Sequence, residues 1–327
     1  MHTPTNGDTW GEAQRALHSS FEIPSNLSSL VRSCWAGIAT PTEFVRALSI
    51  PGYSPTCLLR AAHIVPGQEK IRAAEIEAAV EALGVRASAI IIAINTICEA
   101  TLDSGPAARV WTPIFKEMMS EIEIGYHFGS SAGSVGFEKG MLIGFSRLAG
   151  LAVLLASHPV AFTDWYLRTG GSSSSEDAIA TFGCEPYQVS SLLMQRLGLG
   201  PEIALGAAVT LGDLHPSVVE AKPIIQTWQA AFCWVQALKA GERRPMNKAA
   251  LTFFPELADY VDSSVLPLHL EMLFEEVEKL RTGHSLWTWH LPLDSYEETA
   301  KAIVYKVRSK PYGTTWSRGL ATRETRS

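Results

Sequence analysis

The chain has 327 residues, 46% of them hydrophobic and 18% charged, which excludes a disordered polymer and is enough for one large core or two ordinary ones. A formal net charge of −6 excludes a dedicated nucleic-acid binder, because that function needs a basic face. Five scattered cysteines (Cys34, Cys57, Cys98, Cys184 and Cys233) with no C-x-x-C pair exclude a disulfide frame and a cysteine zinc site, and point to buried thiols in a reducing, cytoplasmic setting.

Residues 1–19 read as an N-terminal extension, and MHTPTNGDTWGEAQ lacks the basic-then-apolar pattern of a signal peptide. Strand signals are scarce from there on, and helix punctuation is dense, so the fold class is all-α. Thr40-Pro41-Thr42-Glu43 is a capping box with proline at the first helical position, and Ser54-Pro55 repeats the cap-then-proline device before TCLLRAAHI. Between Lys70 and Ala100 the pattern predicts two helices broken at Gly84. The first carries an apolar stripe of Ile76, Ala79, Val80 and Leu83, and the second is apolar nearly all round and so belongs in the core.

A long helix is expected from Pro106 to about Gly129. The glycine/serine-rich GSSAGSVG then reads as a flexible linker, because its spaced glycines follow a helix and not the strand a phosphate cradle needs. Met141 to Phe162 is apolar enough to be tested as a membrane span, but Ser146, Arg147, Ser157, His158 and Pro159 interrupt it, so a buried central helix is predicted and no membrane partner is expected. His158-Pro159 is a stop signal, followed by a short helix through Trp165 and a linker from Gly170 to Ser175. Further helices are expected at Ser175 to Phe182, Glu185 to Leu197, Pro201 to Leu211, Ser217 to Ala240, Leu266 to Arg281 and Tyr296 to Ser309.

The charge is unevenly spread. Seven basic residues from Lys301 onward face one acidic, Glu324; removing them from the totals of 27 and 33 leaves 20 and 32, so residues 1–300 carry −12. Residues 313–327 lack an apolar stripe and are expected to form a basic, mobile tail.

Three segments in order resemble the HDOD family, bacterial relatives of the HD phosphohydrolases that mostly act as regulators. They are FVRALSIPGYSPTCLLRAAHI with IRAAEIEAAVEALGVRASAIIIA, then MLIGFSRLAGLAVLLASHP, then FGCEPYQVSSLLMQRLGLGPEIALGAA, together spanning about residues 20–240. The second is similar to the family's central AGLLHDIGKLVLL helix. With Gly144 and Gly150 on the two glycines of that motif, Arg147 and Leu148 stand where its His-Asp pair would be. A hydrolase of this type gathers His and Asp side chains around cations that activate water; arginine cannot ligate a cation, and leucine has no lone pair. Where a histidine run would follow downstream, AAVTLGDLHP offers only Asp213 and His215, with Glu117 or His127 as upstream partners. The resemblance therefore implies a helical domain with its metal site dismantled, needing no metal or cofactor.

Other chemistry finds no footing. There is no G-x-S-x-G elbow, H-E-x-x-H or G-x-x-x-x-G-K-[ST] loop. Asp213 and His215 before Pro216 are also ordinary turn residues. Trp287 and Trp289, flanked by His284 and His290, make either a recognition surface or an anchor for the C-terminal helices. The expected organisation is an extension over 1–19, an HDOD-like helical domain over 20–240, a helical region over 241–312 and the tail. The expected function is that of a non-catalytic signalling adaptor or output module whose protein partner comes in trans. Arg147, Asp213, His215, Trp287 and Trp289 are the candidate pocket or interface. The rival readings are a sensor holding a small molecule or nucleotide in the old HD pocket, with Arg147 facing a phosphate, and a diverged metal-dependent phosphohydrolase.

Overall fold

The computed structural model describes residues 7–48, 56–62, 76–105, 108–171, 175–207, 223–260 and 266–281, and every regular element among them is a helix. The N-terminal helices are α1 (Gly7–Ser20), α2 (Ser25–Trp35), α3 (Pro41–Leu48), α4 (Thr56–Ala62), α5 (Ile76–Leu83) and α6 (Val85–Asp103). The capping box at α3 forms as the sequence predicts. The Thr40 backbone N–H donates to Glu43 Oε2 at 2.9 Å, and the Glu43 N–H donates to Thr40 Oγ1 at 3.3 Å. Gly84 separates α5 from α6 at φ +84°, a conformation open to glycine, and α6 is buried along almost its whole length.

The middle of the chain is α7 (Ala108–Ser131), α8 (Phe137–Ser157), α9 (Pro159–Thr169), α10 (Ser175–Phe182), α11 (Pro186–Arg196) and α12 (Pro201–Ala207). Helix α11 opens on a capping box that the sequence reading passed over: Glu185 is the cap and Gln188 returns the bond to its N–H at 2.9 Å. Four helices complete the described chain: α13 (Pro223–Ala240), α14 (Lys248–Thr252), α15 (Pro255–Ala258) and α16 (Leu268–Arg281). Asn247 caps α14 through its side-chain oxygen.

Helix α8 is the central element, with α1, α6, α7, α11 and α13 packed around it. Its apolar sequence is spent on this burial, as it is in α6; among the described residues these two helices are long and apolar enough to cross a membrane, and both are mostly buried. The boundaries drawn at residues 20 and 240 do not divide the core. Ala13, Ala16 and Leu17 of α1 join the same apolar cluster as Leu148 of α8, and so do Leu270, Leu273 and Val277 of α16. GSSAGSVG is a packed turn instead of a flexible linker. Helix α7 runs through its first three residues, Ala132 and Val135 are buried, and Gly136 turns the chain at φ +79°.

Two close approaches fix α8. Along α7 and α8, Gly125 lies against Gly140, Gly129 against Gly136, and Gly144 against the backbone of Glu121, so tightly that a Cβ on Gly125, Gly129, Gly140 or Gly144 would overlap the facing backbone. This is an antiparallel seam with a four-residue repeat on each helix, and glycine lets the two backbones touch. On the other side, Gly150 meets the Pro186 carbonyl of α11, and its N–H donates to Ser190 Oγ at 2.8 Å.

Candidate functional site

The seam decides what faces what beyond it. With Gly144 against Glu121, the next turn of α8 carries Arg147 alongside the preceding turn of α7, where Glu117 lies. Glu117 and Glu121 are four apart and so share a helix face. Arg147 Nη2 donates to Glu121 Oε1 at 2.6 Å and also to Glu117 Oε1, while its Nε lies 3.2 Å from each Glu121 oxygen. From the last turn of α13, Lys239 Nζ reaches Glu121 Oε1 at 2.5 Å and Glu117 Oε1 as well. The result is a closed ring of alternating charge in which each cation touches both carboxylates and each carboxylate touches both cations.

Burial is graded across this ring. The Glu121 side chain is 0% exposed, while those of Lys239, Arg147 and Glu117 are 27%, 29% and 34% exposed. Burial acts to raise the Glu117 carboxyl, but Arg147 and Lys239 outweigh it and hold the group below its ordinary value. Burial likewise works against the charged Arg147, and the two glutamates more than reverse that, so the guanidinium is held more firmly protonated. The hydroxyl of Tyr166, on α9, is pushed up first by its own burial and then by the Glu117 charge, with Arg147 opposing. A buried carboxylate with two cations and several donors is a satisfied group, and the four charges cancel.

Such an arrangement cannot act as a metal centre while it stands. Both Glu121 oxygens and Glu117 Oε1, which a divalent cation would need, are already engaged by nitrogens of two cationic side chains. Among the described residues no three His, Cys, Asp or Glu side chains gather as a metal-binding group.

Of the residues singled out in the sequence, the structure places Arg147 at this centre and joins Glu117 to it. His127, the alternative upstream partner, lies elsewhere on α7. Its Nε2 is buried without a hydrogen-bond partner, and burial pushes the imidazole below its ordinary value, with Glu276 and Lys279 of α16 acting on it in opposite senses. His158 sits between α8 and α9 with Nδ1 2.8 Å from Ser157 Oγ, in keeping with a stop signal. All five cysteines are buried, and burial pushes the Cys34 and Cys184 thiols up to about 12, far from a reactive thiolate. Asp213, His215, Trp287 and Trp289 lie outside the described residues, as do the predicted helix from Tyr296 and the basic tail. The sequence reading missed Glu121 and Lys239. Glu121 carried a local signal, its four-residue spacing from Glu117; Lys239 carried none, because it is 118 positions from its partner.

Compared with known proteins, the sequence matches no family model and no curated protein. The fold is similar to that of a crystal structure from Shewanella amazonensis SB2B named a “putative phosphohydrolase”. The TM-score is 0.53 at 14% identity, over 85% of this chain and 97% of that one. This likeness establishes the helical architecture.

Proposed function

We propose that this chain is a non-catalytic regulatory protein of the HDOD kind, which acts through contact with a protein partner supplied in trans. The observation that carries the reading is the charge ring. Where the resembling motif has its His-Asp pair, this chain has Arg147 and Leu148. Arg147 is tied with Lys239 to Glu117 and Glu121, and Leu148 is buried in the core. For a divalent cation to enter, both cationic side chains would have to leave a wholly buried carboxylate, and the uncompensated charge makes that costly. A metal-activated water has no place in that arrangement.

The fold shared with the Shewanella protein fits an HD-related origin, and the three resembling segments point to the HDOD branch. Fold alone implies no reaction, so the reading depends on the site. The test is to purify the full chain, measure its metal content, and assay hydrolysis of p-nitrophenyl phosphate and its diester with added magnesium and manganese. The expected result is no stoichiometric metal and no chelator-sensitive turnover, together with a stoichiometric protein partner on purification from the native host. About one metal per chain, lost to chelator together with turnover, would overturn it.

A further inference from the structure

The four charges of the ring are not held equally. Glu121 is wholly buried and takes contacts from Arg147 Nε and Nη2 and from Lys239 Nζ, so it has no room to leave. Glu117 is the most exposed member, and its contacts to both cations run through one oxygen, Oε1. A partly exposed carboxylate can swing into water at small cost, because it recovers its hydration as it goes. What it leaves behind is Arg147, Lys239 and Glu121, a net charge of +1, with Arg147 Nη2 and Lys239 Nζ both aimed at the vacated oxygen position.

We propose that this cluster is a binding site for a phosphate-type dianion, kept closed by Glu117 as an internal stand-in for the ligand. A phosphate oxygen can take the place of Glu117 Oε1 between the two nitrogens, since guanidinium and ammonium groups serve carboxylate and phosphate alike. Gln236 stands three residues before Lys239 on α13, and its Nε2 is a buried donor without a hydrogen-bond partner. Buried N–H groups are rarely left so, and a ligand with several acceptor oxygens would satisfy it. Tyr166 adds a hydroxyl close enough to feel both Glu117 and Arg147. The proposal rests on the non-catalytic reading, because it treats the anion as a retained ligand and not as a product.

The experiment is isothermal titration of the full-length chain with inorganic phosphate, at ionic strength matched with chloride, for the native protein and for Glu117→Gln. The variant should bind phosphate at least about tenfold more tightly, and its thermal midpoint should rise with phosphate and not with chloride. The gain should vanish in the double variant Glu117→Gln, Lys239→Met. If Glu117→Gln does not fold, Glu117→Asp, which retracts the carboxylate but keeps its charge, carries the same expectation. A folded variant no better at binding phosphate than the native chain overturns the proposal, as does a gain that survives loss of Lys239. Turnover of p-nitrophenyl phosphate in the same samples would overturn the non-catalytic reading, and the affinity comparison would still decide the anion site.

Discussion

Two stretches of α7 solve the burial of polar groups in opposite ways. Near its middle, Glu117 and Glu121 are matched charge for charge by Arg147 and Lys239. Ten residues beyond Glu117, the buried Nε2 of His127 has no hydrogen-bond partner. The difference follows from what each group can do at neutral pH. A carboxylate can escape its charge only by taking a proton far above its ordinary range, so burying Glu121 requires cations. An imidazole is neutral once its proton is shed, so burial costs it one hydrogen bond instead of a solvated charge. The middle of the helix is therefore a lock that depends on the two cations around buried Glu121, and the site at His127 is a tolerated defect.

The largest expected effect comes from unbalancing the lock. Arg147→Met leaves Glu121 buried with Lys239 alone and should cost about 3–5 kcal/mol, read as a lowered urea midpoint. A loss no larger than that of His127→Leu would break the comparison. Next, Gly144→Ala drives a Cβ into the Glu121 carbonyl and should cost at least about 2 kcal/mol as the seam is forced apart. The same substitution at Gly133, where added bulk meets nothing, should be nearly neutral. If the two glycine variants behave alike, the seam does not set the register.

Glu117→Gln should cost less, about 1 kcal/mol, because this carboxylate is partly exposed. Its folded-state pKa is lowered, so it contributes stability above its ordinary value of 4.5, and that contribution is lost as pH falls through the lowered folded value. The variant should therefore lose less stability than the native chain on acidification below about pH 5, measured by denaturant titration at stepped pH. The smallest effect belongs to His127→Leu, within about 1 kcal/mol of native at neutral pH. His127 is also lowered from its ordinary 6.5, so the unfolded chain binds its proton first. Native stability should then fall as pH drops from 6.5 toward the folded value, and the leucine variant should not share that fall. A parallel pH profile for the two would show that His127 is not held neutral by burial.

Helix existence and several helix limits were legible because their causes are local. The box at Thr40 and Glu43, the break at Gly84 and the end of α10 at Phe182 before Gly183 each depend on residues within a turn or two. Where local signals are weak, the packing departs from the pattern. Helix α1 looked like an extension because only Ala13, Ala16 and Leu17 among its last eight residues meet the core, and small residues make a faint stripe. GSSAGSVG looked like a linker because glycine and serine mark flexible chain and close packing equally.

Local pattern is enough to specify an all-helical fold with a core helix too apolar to sit anywhere but inside, and an arginine at a position where the resembling motif has a metal ligand. The meaning of that arginine comes from packing. Arg147 finds Glu121 from 26 positions away, and Lys239 finds it from 118. No periodicity encodes such pairings, because helix hydrogen bonds and caps span at most a few residues. The partners of a side chain across a helix interface depend on the register and approach of two backbones, set here by facing glycines that carry no charge or polarity of their own.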